Sequence, residues 1–196
     1  MRRTIAVILV VLILLAGSLY GLYRHYFPMG MEHRCDKMLW FALREYAEKH
    51  NGAFPSGEAT PEASISLIHS LDQYGYEYAY LLHRRDVPTD VVREVLQRGQ
   101  LLDPDTCGWN YVEGLRRDSD WKLALFWDKE GLGHDGQRLS EGGHVVTFVD
   151  GRSEHIPGSD WEDFQAEQRR LLKEEMEKRQ QRPREPQKSE RRTTQR

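Results

Sequence analysis

The sequence GGHVVTFVDGRSEHI, residues 142–156, decides the fold of this chain. An apolar, β-branched run ends in Asp150-Gly151 and is followed by five residues that can return beside it. Asp-Gly between two such runs predicts a β-hairpin with a two-residue type I′ turn. Asp150 and Gly151 are therefore interpreted as a signature of the fold.

The two-residue turn also predicts a register for the hairpin. It pairs Val149 with Arg152 and Val146 with His155, so that His144 and His155 share one face of the hairpin. A lone hairpin is marginally stable in water, so it must pack against other elements.

Two segments upstream predict the remaining strands. Residues 109–112 and 121–127 are apolar and aromatic, and a polar turn separates them. Together with the hairpin they predict an antiparallel sheet of three or four strands. Residues 31–50 carry apolar side chains at three- and four-residue spacing, which predicts an amphipathic helix that packs across the sheet.

Shorter elements lie between this helix and the sheet. Residues 61–71 and 89–98 predict short helices, because each follows or begins at a proline and carries apolar residues on one side. Residues 74–82 are ambiguous, since their tyrosines alternate as they would in a strand.

The N-terminal segment predicts a membrane anchor. The uncharged run 4–23 is close to the roughly 20 residues that span a bilayer as a helix. Arg2 and Arg3 precede it, which predicts a cytoplasmic N-terminus and an extracytoplasmic body. A cleaved signal peptide is the competing interpretation, but apolar and aromatic residues continue past any plausible cleavage point.

The charge distribution separates the C-terminal end from the rest. The chain of 196 residues has a net charge of −3, of which residues 178–196 contribute +6 and the remainder −9. Such a basic, apolar-poor end predicts disorder. The predicted α+β chain therefore has five parts: a cytoplasmic N-terminus (1–4), a transmembrane anchor (5–26), an α+β domain (27–158), a C-terminal helix (159–180) and a disordered basic tail (181–196).

Three segments resemble a known family. CDKMLWFALREYAEKHNGAFP (35–55) is similar to the helix that follows the membrane segment in prepilin-like proteins, WDKEGLGH (127–134) to their loop before the hairpin, and residues 142–151 to their closing strand. These proteins belong to a bacterial set whose domain of unknown function is related to the type II secretion major pseudopilin. The resemblance implies a pilin-like fold, in which a long N-terminal helix lies over a small antiparallel sheet.

The chain departs from this family at its N-terminus. Processed members have a leader that ends in Gly, followed by Phe-Thr-Leu-x-Glu at the head of the apolar helix. Here the helix opens with RRTI (residues 2–5) and its apolar run has no glutamate. The expectation is a pilin-like fold without peptidase processing or assembly into a filament.

Possible metal ligands cluster near the hairpin. Zinc is one candidate ion, bound by His134, His144 and His155. Calcium is the other and better candidate, because related pseudopilins bind it in a loop near the sheet. Its oxygen donors here would be the loop carboxylates Asp103, Asp105, Asp128 and Asp135. Neither set has the spacing of a compact ligand motif, so no resident cofactor is predicted.

Cys35 and Cys107 permit one disulfide if the body is extracytoplasmic. The alternative is that Cys35 is a small apolar residue on the helix and Cys107 a buried thiol in a turn.

The sequence carries no recognisable catalytic motif, so no enzyme activity and no catalytic residue is predicted. The expected function is that of a single-pass inner-membrane protein with its body in the periplasm. It would act through contacts with other envelope or pilin-like proteins, as an accessory to secretion or envelope assembly. An anchored metal-dependent enzyme or binding protein is the alternative. An extracytoplasmic location argues against nucleic acid as a partner of the basic tail.

Overall fold

The computed structural model describes residues 2–71 and 77–181 and has the predicted α+β class. Its elements follow one another along the chain: α1 (Arg2–Tyr26), α2 (Asp36–Lys49), α3 (Pro61–Ser66), a 3₁₀ turn (Leu67–Ser70), α4 (Glu77–Leu82), α5 (Thr89–Gln97), β1 (Trp109–Tyr111), β2 (Ala124–Asp128), β3 (His144–Phe148), β4 (Ser153–Ile156), a second 3₁₀ turn (Gly158–Asp160) and α6 (Trp161–Gln181).

Helix α1 is long and apolar enough to cross a membrane, judged by length and composition. An 18-residue stretch within its segment 3–26 has a mean hydropathy of 2.8, and no residue of this stretch is buried in the domain. A signal sequence has the same properties.

The four strands form the predicted antiparallel sheet, in the order β1-β2-β3-β4. The predicted register of its closing hairpin is wrong by one residue. Thr147 pairs with Ser153 and Val145 with His155, because the loop has three residues, 149–151, rather than two. Gly151 takes φ +85° at the end of this loop. A shift of one residue moves a side chain to the opposite face, so His155 lies opposite His144.

One face of the sheet packs against four helices. Side chains from α2, α3, α4 and α5 form the main core with Trp109, Tyr111 and Phe126 of the sheet. The predicted start of α2 is wrong, because residues 31–35 are extended and the helix begins at Asp36. Its Trp40 donates a hydrogen bond from Nε1 to the carbonyl of Val149, which fixes the helix beside the hairpin loop.

The other face of the sheet packs against α6. Trp161 and Phe164 of α6 contact a second core on β2, β3 and β4, and Gln168 accepts a hydrogen bond from the backbone N–H of Ala124. The predicted helix 159–180 is therefore the third layer of the domain, starting at Trp161 and including Gln181.

The remaining predictions concern two parts of the chain. The segment 74–82 is helical over its described part, α4, so the strand interpretation is wrong there. Residues 74–76 lie outside the described residues, as does the predicted tail after Gln181.

Candidate functional site

The most elaborate set of polar contacts lies where α1 meets the domain. We call this region the junction and define it as residues 27–35 together with Asp128 and the loop 129–139 that follows it. The backbone N–H of Arg138 donates to the carbonyl of Tyr26 at 2.6 Å, and its Nε donates to the carbonyl of His25 at 3.1 Å. The end of α1 is thus bonded directly to the loop.

The extended segment of the junction pairs with the same loop. The backbone N–H of Glu32 donates to the carbonyl of Asp135 at 3.2 Å, and that of Arg34 to the carbonyl of His134 at 2.8 Å. Side chains alternate in an extended backbone. Arg34 points into the domain and is 2% exposed, whereas His33 on its N-terminal side is exposed.

Arg34 belongs to a buried ion cluster. Its Nη1 donates to Asp128 Oδ2 at 3.2 Å, and Arg85 Nε donates to the same oxygen at 3.3 Å. These three side chains are at most 5% exposed. A buried charge is tolerated when it is paired and hydrogen-bonded, and removal of one partner is strongly destabilising.

Backbone carbonyls accept hydrogen bonds from other N–H groups of the two guanidinium groups. Arg85 donates to the carbonyls of Glu32 and Gly133, at 2.8 and 3.0 Å, and Arg34 Nη2 donates to the carbonyl of His83. Gly108 provides the space that the Arg34 side chain occupies, because a Cβ at position 108 would collide with the guanidinium group of Arg34. The cluster therefore joins the extended segment, the chain after α4, and the end of β2.

Two further titratable groups border this cluster. His83 Nε2 is hydrogen-bonded to Glu32 Oε1, yet burial and the nearby Arg34 lower the pKa of the imidazole. Burial and the neighbouring Asp128 carboxylate raise the pKa of Glu130 to about 7. Both shifts follow from removing a charge from water, which disfavours the charged form.

A second cluster lies on the outer side of the same segment. One donor atom each from His33, Cys35 and His134 lie within 4.8 Å of one another. His33 Nδ1 is 2.8 Å from Asp135 Oδ1, and His134 Nδ1 is 3.5 Å from Asp36 Oδ1. The two imidazole rings meet edge to face with centroids 4.1 Å apart.

The structure separates the three histidines of the predicted zinc set. His134 lies in the cluster just described. His144 hydrogen-bonds through Nδ1 to the carbonyl of Asp128 at 2.8 Å and contacts the ring of Trp161. His155 hydrogen-bonds through Nε2 to the carbonyl of Gly142, on the opposite face of the hairpin.

The carboxylates of the predicted calcium set have other partners. Asp103 accepts hydrogen bonds from the backbone and hydroxyl of Thr106, which lower its pKa, and from the backbone of Asp105. Asp105 is exposed, Asp128 lies in the buried ion cluster, and Asp135 bonds to His33. Within residues 2–71 and 77–181, these carboxylates do not form a group that could hold an ion.

The predicted disulfide is absent, because both thiols are free. Cys107 is the buried thiol of the alternative interpretation. Its Sγ lies 3.9 Å from the carbonyl of Trp109, and burial raises its pKa to about 12. Cys35 is partly exposed and extended, immediately before α2.

The sequence interpretation missed His33 and Cys35 as a pair because it placed both on a helix. Residues two apart do not face each other on a helix, but they share a face in an extended segment. The available signal was Pro28 and Gly30, which predict a break after α1 without showing how far the break extends.

No known protein-family model, curated protein or solved structure matches this chain.

Proposed function

We propose that this chain is a single-pass inner-membrane protein whose pilin-like domain lies in the periplasm and acts through contacts with other envelope proteins. The observation that carries the proposal is the exposure of α1. The domain has closed cores on both faces of its sheet, whereas none of the apolar span in α1 is covered. Large exposed apolar surfaces mark membrane or protein interaction sites.

Charge supports the orientation of this anchor. Arg2 and Arg3 precede the apolar run, and short basic segments beside a span favour the cytoplasm. Tyr20, Tyr23 and Tyr26 lie at the other end, where aromatic side chains favour the membrane interface.

The junction supports an anchor that is retained rather than cleaved. Cleavage after the small residues 16–18 would leave Leu19, Tyr20 and Leu22 exposed at the new N-terminus, more than half of each being accessible. The stub would also stay attached to the domain, because Tyr26 and His25 are bonded to Arg138. Retention in the bilayer accounts for this surface without leaving it in water.

The architecture supports the pilin-like part of the proposal and limits it. Helix α2 lies on an antiparallel meander, as the resemblance implies. Two features depart from a single long helix over a sheet: the break between α1 and α2, and the covering of the second face by α6. These departures favour an accessory protein over a filament subunit.

The anchor is tested by alkaline carbonate extraction of membranes from cells that make the full chain, followed by mass measurement of the retained protein. We expect an uncleaved chain in the membrane pellet. Leu12→Arg should shift the protein towards the soluble fraction, because a charged residue at the centre of a span costs roughly 2.5–3.5 kcal/mol for insertion. Val91→Arg, on the exposed surface of α5, is the matched control and should leave the distribution unchanged.

Interaction is tested by crosslinking intact cells that make the full chain and identifying the partners by mass spectrometry. Specific adducts with envelope proteins, reduced when the domain is destabilised by Arg34→Met, support the proposal. A chain found in the soluble fraction, or one that yields the same adducts with and without a folded domain, contradicts it.

A further inference from the structure

The alternation of residues 33–35 places two metal-binding side chains on the outer side of the junction. Arg34 is held inside by Asp128 and by the carbonyl of His83. Its neighbours His33 and Cys35 are therefore directed outwards, towards the loop residue His134. The donor set is two imidazoles and one thiol.

Backbone contacts hold all three residues before any ion binds. The carbonyl of His33 accepts a hydrogen bond from Tyr80 Oη, and the carbonyl of His134 accepts one from the backbone of Arg34. Cys35 is fixed by the start of α2, where its carbonyl accepts from the backbone of Leu39. A site held in this way loses little conformational entropy on binding.

Carboxylates orient the two imidazoles. Asp135 Oδ1 is hydrogen-bonded to Nδ1 of His33, and Asp36 Oδ1 lies 3.5 Å from Nδ1 of His134. Nε2 of each ring is then the nitrogen that remains for a ligand. Metal-bound histidines in proteins almost always have such a partner on the other nitrogen, and it raises the basicity of the ligand.

We propose that His33, Cys35 and His134 bind one divalent transition-metal ion of the zinc class, with the fourth position open to water. Imidazole and thiolate are the ligands such ions prefer, whereas calcium requires six to eight oxygens. The side chains of His33 and His134 are 59% and 42% exposed, so solvent reaches the site. Binding replaces the Cys35 thiol proton, which is released to solvent, by a bond from sulfur to the metal.

The ion would link the extended segment to the loop 129–139. The two are already joined by backbone hydrogen bonds, such as that from Glu32 to Asp135, and by Arg85, which donates to the carbonyls of Glu32 and Gly133. The ion would add a further link on the outer, exposed side of this contact. This inference goes beyond the proposed function and does not depend on the orientation of the anchor.

The test uses the full chain, purified in detergent, stripped with EDTA and dialysed against Zn²⁺. We expect one ion per chain by metal analysis. Replacement with Co²⁺ should give the intense visible absorption of a tetrahedral site and a sulfur-to-metal charge-transfer band. His33→Ala, Cys35→Ala and His134→Ala should each abolish stoichiometric binding, and Cys35→Ala should also remove the charge-transfer band.

Matched controls separate the site from general loss of structure. His155→Ala removes a histidine of the hairpin, and Cys107→Ala removes the other thiol; both variants should still bind one ion. Asp135→Asn should weaken binding roughly 10- to 100-fold. Far-UV circular dichroism should be unchanged in the three ligand variants, because those side chains lie outside both cores.

The proposal is overturned by absence of stoichiometric Zn²⁺ in the wild-type chain, or by binding that survives Cys35→Ala. A ratio of one ion to two chains contradicts the single-chain site. Preferential binding of Ca²⁺ that is lost on changing the same residues contradicts the zinc-class assignment. Hydrogen exchange gives an independent readout: Zn²⁺ should slow exchange at the amides of Glu32 and Arg34 in the wild type and not in His134→Ala.

Discussion

The junction and the closing hairpin both contain histidines, arginines and acids, yet they use them in opposite ways. In the junction, the Arg34–Asp128 pair is at most 5% exposed and joins segments that are distant in the chain. In the hairpin, Arg152 and Glu154 are about half exposed and 3.9 Å apart. Charge thus organises the junction, whereas apolar packing and turn geometry organise the hairpin.

The two regions therefore form through different contacts. The presence of a hairpin is specified by neighbours in sequence, since its run of β-branched residues and its Asp-Gly turn act over a few residues, although its register also depends on tertiary contacts. The junction forms only when chain segments about a hundred residues apart meet. Its stability depends on ion pairs whose charges are buried away from water. Four substitutions test this difference between the two regions.

The largest effect should come from Arg34→Met, which removes one partner of the buried cluster. Arg85 is then the one remaining ion-pair partner of Asp128 among the described residues, and loss of a buried partner costs about 3–5 kcal/mol. Urea unfolding followed by tryptophan fluorescence measures the change. Arg170→Met on the exposed surface of α6 is the matched control, where the loss should be much smaller because solvent screens the ion pair. Equal losses in the two variants contradict the account.

Gly151→Ala should break the hairpin by a smaller amount. Its φ of +85° costs an L-residue about 1–2 kcal/mol, and the added Cβ would also meet the Trp40 ring. Gly142→Ala is the matched control, since it has φ +67° with open space around it. Gly151→Ala should therefore lower the free energy of unfolding more than Gly142→Ala does, by the same urea measurement. Equal losses in the two variants would show that the contact with Trp40 does not matter.

Glu130→Gln should change how stability depends on pH. Folding raises the pKa of Glu130 from 4.5 to about 7, so the folded state holds this proton more tightly. Its contribution is present at low pH and is lost as the pH rises from 4.5 towards 7. The lowered pKa of His83 has the opposite effect, because it makes stability rise with pH below the ordinary imidazole pKa of 6.5. The variant is therefore compared with wild type at each pH, so that this effect cancels.

Relative to wild type, Glu130→Gln should become more stable as the pH is raised through that interval. Glu154→Gln, on the exposed strand of the hairpin, is the control and should run parallel to wild type. If the free energy of unfolding of both variants follows that of wild type at every pH, the Glu130 carboxyl has the same pKa in the folded and unfolded states, and the prediction is wrong.

The smallest effect should come from Asp150→Ala. Asp150 Oδ1 accepts a hydrogen bond from the backbone of Arg152 at 3.0 Å in the exposed loop, and such a bond contributes about 0.5–1.5 kcal/mol. A loss as large as that of Arg34→Met would mean that the hairpin depends on its charged residues as much as the junction does, which contradicts the comparison.

Much of the fold could be predicted because it follows from local patterns. The strands, α5 and the core-facing side of α2 follow from apolar spacing. The hairpin register could not, because loops of two and three residues both accommodate Asp-Gly, and the extra residue Val149 donates its N–H to the carbonyl of Leu123, just before β2. That bond comes from tertiary structure.

The candidate site was largely hidden from sequence reasoning for the same reason. His134 was identified, but His33 and Cys35 acquire their geometry only because Arg34 is drawn inwards by Asp128. The covering of the second face of the sheet was also missed, because α6 has few apolar residues and part of its contact with the sheet is a hydrogen bond from the first residue of β2 to Gln168. Pairings between distant segments leave no periodic pattern in the sequence.

The central claim is that the domain lies outside the cytoplasm with the junction beside the membrane, and its two thiols test this most directly. Intact spheroplasts treated with EDTA are exposed to a membrane-impermeant maleimide, and labelling is compared with that after lysis. Cys35 is partly exposed, whereas Cys107 is fully buried and serves as the internal control. The account predicts that Cys35 is labelled equally before and after lysis, with Cys107 labelled only after unfolding. Labelling of Cys35 that requires lysis would contradict it.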